Sequence, residues 1–349
     1  MGATRPRVKE VLVSNQQSEG WSRREFLTKV ALAGTAGYLG LERSSLAAEP
    51  PPETTRIRLL DTPGICSAPE HVVKELLPDE GFRDIQFIRD NNMNAATDFA
   101  SGAIDIAMAF VSEFVVAADA GIPITMLGGI HPGCFELFGT GQIRAIRDLK
   151  GKSVGVPAIN SGHHLFVASM AAYVGLDPRK DINWVVYKPS EPAALLADRK
   201  LDALIAFPPI PQELREKKIG HVIVASAVDL PWSQYFCCVV AADREFVRKN
   251  PIATKRAFRA MLKATDICAL EPERAAKTLV DSGFSRKYSL QTLKELPYAK
   301  WREYDPEDTV RFYALILHDI GRIKASPNKI IAEATDWRFL KELKKELKS

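Results

Sequence analysis

DLKGKSVGVPAINSGHH, residues 148–164, divides into a turn at Asp148, Lys150 and Gly151, a short apolar strand over 153–156, a proline-broken loop, and a helix start at Asn160, Ser161 and Gly162 that opens an apolar run from Leu165. Asn and Ser are favoured N-caps because their side chains accept the unpaired first-turn amides. Free backbone N–H groups and the helix dipole converge at such a start, so the stretch reads as the floor of a ligand site. The same pattern also serves an ordinary strand–loop–helix crossover.

Upstream, 57–60 (IRLL) reads as a strand ending in Asp61, Thr62, Pro63 and Gly64, followed by a helical pattern over 68–77 and a second strand near 85–88. Strands alternating with helices argue for parallel α/β architecture. Residues 95–110 then carry a helix, a turn at Ser101 and Gly102 and the strand IDIAMAF. Ninety-seven residues later 192–207 repeats the order, with a turn at Arg199 and Lys200 and the strand LDALIAF. In both copies an Asp follows the first apolar residue and a Phe closes the strand (Ile104, Asp105, Phe110; Leu201, Asp202, Phe207), which suggests two lobes of related design.

Two lobes need paired chain crossings, and the extended segments 138–142 and 234–241 are the candidates. Lobe 1 is then expected at 52–141 plus 241–349 and lobe 2 at 142–240. From Pro251 the pattern is helical to the end, with Leu340, Leu343 and Leu347 forming one apolar stripe.

The chain has 349 residues, 46% of them hydrophobic and 26% charged, enough for two units with real cores. Residues 1–47 read separately. Arg23 and Arg24 precede a short apolar run from Val30 to Leu41, and Ser45, Leu46 and Ala47 supply the small residues of a cleavage site, the pattern of a twin-arginine export signal. Its removal near Ala47 takes away seven Lys or Arg and four Asp or Glu, lowering the net charge from +4 to about +1. Nothing in that balance points to nucleic acid. The expected location is the periplasm, with a Tat translocase as export partner. Five cysteines (Cys66, Cys134, Cys237, Cys238, Cys268) make no disulfide framework, and no CxxC or Cys/His zinc spacing occurs. Cys237 and Cys238 are adjacent on an extended segment, so their side chains are expected to face opposite ways.

Ligands in open α/β sheets sit beyond the carboxyl ends of the strands. That rule gathers Thr62 and Cys66; Ser112 and Glu113; His131, Gly133, Cys134 and Glu136; Asn160, Ser161 and His163; and Pro208 and Pro209. Trp232 and Tyr235 are candidates to stack on a ligand, with core packing as the equal alternative. His164 lies one position further round its helix and is expected to point away. No GxSxG elbow, HExxH, P-loop or GxGxxG is present, so no catalytic residue, metal or cofactor is assigned.

The succession SGAIDIAMAF, AGIPITMLGGIHPG, IRAIRDLKGKSVGVP, a Ser-Gly helix start and LADRKLDALIAFPP resembles the solute-binding proteins of ABC importers of the nitrate, sulfonate and taurine type. That group shares its SsuA/THI5-like, NMT1-like domain with thiamine-pyrimidine synthesis proteins. The resemblance covers about residues 55–280. It implies a two-lobed type II periplasmic-binding-protein fold, each lobe a mixed, mostly parallel sheet flanked by helices, with a helical C-terminal extension. It also implies capture of a small anionic or polar solute (sulfonate, nitrate or carboxylate) by hinge closure, for delivery to ABC permease and ATPase subunits. By position, ligand contacts are expected from Thr62, Pro63, Ser112, His131, Gly133 and 161–163, which adds Gly162. The alternatives are a pyrimidine-synthesising enzyme, which the export signal argues against, and a periplasmic sensor.

Overall fold

Asp105 and Asp202, the matched acids of the two helix–strand copies, hold equivalent places in two different sheets. The Asp105 carboxylate accepts the backbone N–H of Arg58 at 2.8 Å, while its own N–H donates to the Arg58 carbonyl at 2.8 Å. The Asp202 carboxylate accepts the N–H of Ser153 at 2.9 Å, and its N–H donates to the Ser153 carbonyl at 3.0 Å. Each acid thus ties the start of the central strand of its sheet to the parallel strand beside it.

The computed structural model describes residues 49–188 and 191–348, so the export signal expected over 1–47 lies outside the described residues. The chain from Pro51 onward forms one unit and is described by itself. Its strands are β1 (Arg56–Asp61), β2 (Asp84–Arg89), β3 (Ile106–Phe110), β4 (Ile124–Pro132), β5 (Glu136–Gly139), β6 (Lys152–Val156), β7 (Ile182–Val186), β8 (Ala203–Ala206), β9 (His221–Ala225) and β10 (Phe236–Asp243). They form two sheets of order β2-β1-β3-β10-β4 and β7-β6-β8-β5-β9. In each sheet the first three strands run parallel and the fourth is antiparallel to both its neighbours. β3 and β8 are buried along their whole length, as central strands covered on both faces require.

The helices between strands are α1 (Ala68–Leu76), α2 (Ala95–Ala100), α3 (Val111–Asp119), α4 (Gly162–Tyr173), α5 (Pro192–Ala197) and α6 (Ile210–Lys217). After β10 come α7 (Arg244–Lys249), α8 (Pro251–Leu270), α9 (Pro272–Asp281), α10 (Arg286–Glu295), α11 (Pro306–Asp319), α12 (Pro327–Ala334) and α13 (Arg338–Glu346). α8 packs on α1 and α11 on α3, so the C-terminal helices join the side of the first sheet. Buried Glu80, paired with Arg259 and Lys263 of α8, fixes that attachment. Leu340 and Leu343 are buried as the stripe required. Among the described residues no helix is long and apolar enough to cross a membrane.

The crossings between sheets fall at 133–135 and 226–235. Both differ from the expected segments, because the apolar runs read there as linkers are paired strands: β5 lies inside the second sheet and β10 inside the first. The crossings are bound together. The Ser226 hydroxyl accepts the N–H groups of Cys134 and Phe135 at 3.2 and 3.0 Å and donates to the Phe135 carbonyl at 2.8 Å. Gly133 adopts φ 61°, and a Cβ there would stand 2.2 Å from Ala227 Cα, so only glycine fits this approach.

Candidate functional site

The carboxyl ends of β1, β3, β6 and β8 converge on one cavity of about 50 Å³, lined by residues of both sheets' sides. The first side supplies Thr62, Pro63 and Cys66 after β1, Asp90 after β2, Glu113 on α3 and Cys238 on β10; the second supplies His163 on α4 and Phe207 after β8. Cys134 and Phe135 enter from the first crossing.

The helix start that dominates the sequence reading has a protein partner. Glu113 Oε1 accepts the Gly162 N–H at 2.7 Å, the first amide of α4, and Oε2 accepts the Ala95 N–H at 3.1 Å, the first amide of α2. One buried carboxyl group therefore satisfies two helix N-termini, on opposite sides of the cavity. Burial, and after it the negative charge of Asp90, push Glu113 up to about 8, against the two amides that favour its ionised form. Asp90 is buried too, accepting from Asn92 and Asn94 N–H groups, and burial raises it.

The expected site residues separate into three groups. Thr62, Pro63 and His163 line the cavity. His163 lies between the Phe135 and Phe207 rings, with centroids 4.7 and 4.5 Å away, and neither ring nitrogen has a hydrogen-bond partner. Burial lowers it to about 3, so the imidazole is neutral. A second group acts at the margin. Gly162 bonds Glu113, the Ser161 hydroxyl caps α4 by accepting the His164 N–H, and the Pro208 carbonyl accepts the Ile65 N–H at 3.1 Å across the two sides. The Asn160 carbonyl accepts from the Asn94 side chain, and its amide oxygen from Arg322.

The third group stands away from the cavity lining. Ser112 is fully buried in the first turn of α3 with no partner for its hydroxyl. Gly133 serves the approach of the two crossings. Trp232 is 3% exposed and packs among Phe166, Tyr173 and Phe312, the core alternative. His131 is fully buried behind the lining; its Nδ1 sits 2.9 Å from the Gly133 carbonyl. His164 meets the Trp184 ring edge to face and accepts the Asn160 N–H, pointing away as expected.

The structure also groups residues that spacing did not. Cys237 and Cys238 do not face opposite ways: their sulfurs and that of Cys134 all lie within 4.8 Å of one another. The cause is a pair of register shifts in β10 against β4, at Phe236/Cys238 and Cys238/Val239, which break the two-residue alternation. Asp90 and Phe207 were missed for a simpler reason: each sits one residue past a strand end, where the strand-end rule could have found it.

Residues 71–280 match the sequence profile of the NMT1-like family. A protein of Brucella abortus (strain 2308) with a provisional binding-protein name is 29% identical over 133 residues, 38% of this chain and 41% of that protein. The 4-amino-5-hydroxymethyl-2-methylpyrimidine phosphate synthase THI11 of Saccharomyces cerevisiae is 24% identical over 213 residues, 57% of this chain and 62% of the yeast protein. The chain thus aligns with less than two thirds of either relative's length. Among solved structures, the periplasmic nitrate-binding protein NrtA from Synechocystis PCC 6803 superposes with a TM-score of 0.69 at 16% identity, covering 86% of this chain and 90% of that one. The alkanesulfonate-binding protein SsuA from Xanthomonas axonopodis pv. citri bound to MOPS gives 0.61 at 17%, covering 79% and 96%. These likenesses establish the fold as that of the two-lobed periplasmic binding proteins, and the profile match over most of that fold makes this chain a member of the NMT1-like family.

Proposed function

We propose that the protein is an exported solute-binding protein, which captures a small polar organic solute between its two lobes and presents the closed form to an ABC permease and its ATPase. The observation that carries this reading is a cavity built by both sides and sealed by bonds that join them: Glu113 to Gly162, Ile65 to Pro208, and Asn94 to Asn160. At the rim, Gln212 and Arg215 of α6 bond Glu295 of α10. None of these bonds survives separation of the lobes, so a solute that adds contacts to the closed form shifts the equilibrium toward it. The paired crossings at 133–135 and 226–235 are the proposed hinge. A cavity of about 50 Å³ lies far below the roughly 300 Å³ of an ordinary small-molecule pocket, so binding requires the sides to part and re-close.

The lining narrows the solute class. It offers two carboxyl groups, a neutral imidazole, thiols and aromatic rings, with neither Lys nor Arg. A sulfonate, nitrate or carboxylate would meet no cation in a dry cleft beside the Asp90 and Glu113 carboxyl groups, and a buried anion without a counter-charge is costly. Two of the first-turn α4 amides that would otherwise hold an anion, those of Gly162 and His164, are engaged by Glu113 and Ser161. A neutral or cationic donor-bearing solute, flanked by Phe135 and Phe207, fits the lining better.

A thermal-shift panel on the full chain, with nitrate, sulfonates and carboxylates in one arm and amines, amidines and aminopyrimidines in the other, tests the reading. A solute present at 100 times its Kd stabilises the native state by about 2.7 kcal/mol. A hit in the second arm that Glu113→Ala abolishes is the expected result. A hit confined to anions overturns the solute class. Turnover of a bound pyrimidine would instead favour the enzyme reading, which the 24% identity to the yeast synthase supports.

A further inference from the structure

The neck of the second lobe brings two distant thiols into contact, and solute capture does not use that contact. The chain leaves the first sheet at 133–135 and returns through 226–235, and all five strands of the second sheet, β5 to β9, lie between those crossings. Cys134 sits in the outgoing crossing and Cys237 just past the returning one, 103 residues further on, with their sulfurs 3.1 Å apart. Both residues are buried, and all five cysteines are free thiols in this structure.

The backbone holds the pair from both sides. The Ser226 hydroxyl accepts the Cys134 N–H at 3.2 Å, and Gly133, at φ 61°, lies close against Ala227. Opposite them, pairing of Phe236 with Pro132 and of Cys238 with His131 fixes β10, and the register shifts there bring the Cys237 and Cys238 thiols to one side. Disulfides form where the surrounding chain already presents two sulfurs to each other, because backbone movement stores strain. Cys238 supplies the route. Its sulfur lies within 4.8 Å of the other two, and it lines the cavity together with Cys134. Hydrogen bonds from the Cys134 and Cys237 thiols, with the charge of His131 behind them, hold Cys238 well below the ordinary thiol range, whereas burial pushes Cys134 and Cys237 well above it.

We infer that Cys134 and Cys237 form a disulfide that closes the neck of the second lobe, made by exchange through Cys238. The oxidant is an external disulfide, oxidised glutathione or a thiol oxidoreductase of an oxidising compartment, and for that supply alone the inference rests on the exported reading. With the sides parted, the Cys238 thiolate attacks the external disulfide, forming a mixed disulfide and releasing one external thiolate. Cys134 attacks the Cys238 sulfur, giving a Cys134–Cys238 bond and releasing the second. Cys237 then attacks the Cys134 sulfur and returns Cys238 as thiolate, the thiol of lowest pKa being the best leaving group. The Cys134 and Cys237 thiols thus each give a proton to an external thiolate, and their two electrons reduce the external disulfide. The bond joins the entry and exit of the second lobe covalently, where the Ser226 hydroxyl already joins them by hydrogen bonds. Cys268 is the internal contrast: fully buried in α8, it stands outside the cluster.

The test counts thiols in the full chain, reduced, treated with chelator and then exposed to oxidised glutathione. After quenching and denaturation, alkylation should find three of the five thiols, and peptide mapping should join the Cys134 and Cys237 peptides. Cys134→Ser and Cys237→Ser should each abolish that crosslink, Cys238→Ser should slow it roughly tenfold or more, and Cys268→Ser should leave it unchanged. Closing so long a loop should raise the melting midpoint of the wild-type chain by roughly 10 °C, a shift absent from Cys134→Ser. Circular dichroism of each variant separates a lost bond from lost folding, and the wild-type count needs no variant. Five alkylatable thiols in the folded, oxidant-treated chain overturn the inference, as does a map joining Cys134 to Cys238 or a glutathione adduct that never resolves. Solute binding is scored separately on the reduced chain, so failure of the capture reading leaves the thiol count untouched.

Discussion

The two lobes share a strand order and an aspartate clamp, yet the ends of their sheets carry different chemistry. On the first side the strand ends deliver carboxyl groups and thiols: Asp90, Glu113, Cys66 and Cys238. On the second they deliver a neutral histidine, the Phe207 ring and the α4 amides. The clamps differ as well. Asp105 holds the Arg58 side chain in addition to its backbone, through Nε at 3.1 Å and Nη2 at 2.6 Å, whereas Asp202 holds only the Ser153 N–H and hydroxyl. The frame is thus repeated while the site is complementary, and the two sides meet as acid onto amide instead of like onto like.

The largest effect should come from the clamps. Asp105→Ala strands a half-buried guanidinium and is expected to cost about 3 kcal/mol in urea unfolding. Asp202→Ala loses only hydrogen bonds to a carboxylate and should cost about 1.5 kcal/mol. Equal costs would mean that the clamps are equivalent in energy as well as in place.

Next comes Gly162→Ala. The added Cβ would lie 2.5 Å from Glu113 Oε1 and 2.6 Å from Phe110 Cβ, so the closed form should lose about 2 kcal/mol. Small-angle scattering should then show a more open chain; an unchanged profile would place closure elsewhere.

The acid side and the imidazole side should also titrate in opposite senses. Glu113, near 8 against an ordinary 4.5, holds its proton more tightly in the closed fold, so the stability it contributes is whole below about pH 4.5 and is lost as pH rises through about 8. His163, near 3 against 6.5, resists its proton; its contribution is whole above about pH 6.5 and is lost as pH falls through about 3. Melting curves across that span should show both limbs, with Glu113→Gln flattening the alkaline one alone. The smallest effect belongs to the rim: Glu295→Gln weakens a part-exposed pair with Arg215 and should shift stability by less than about 1 kcal/mol, with a detectable salt dependence.

The frame was legible in the sequence through a few particular residues. Ile104, Asp105 and Phe110 against Leu201, Asp202 and Phe207 marked the two sheets, because a buried parallel strand is a local apolar run and its clamp stands at a fixed offset. Thr62 and His163 were expected among the cavity residues because the strand-end rule depends only on where such runs stop, whereas Pro63, which also lines the cavity, came from the resemblance alone. The same runs misplaced the crossings, since β5 and β10 look alike as segments and only their hydrogen-bond partners assign them to a sheet.

The sequence by itself therefore determined the α/β alternation, the two related lobes, the Ser161 cap of α4 and the strand ends that face the cavity. Tertiary structure alone decided that Glu113 engages the first α4 amide from the other lobe, that two adjacent cysteines share one side, and that His131 stands beside Cys238. Apolar periodicity and capping are local properties, fixed by neighbours a few residues away. A carboxyl group on a distant helix, or a bulge against a distant strand, is fixed only when the chain closes on itself.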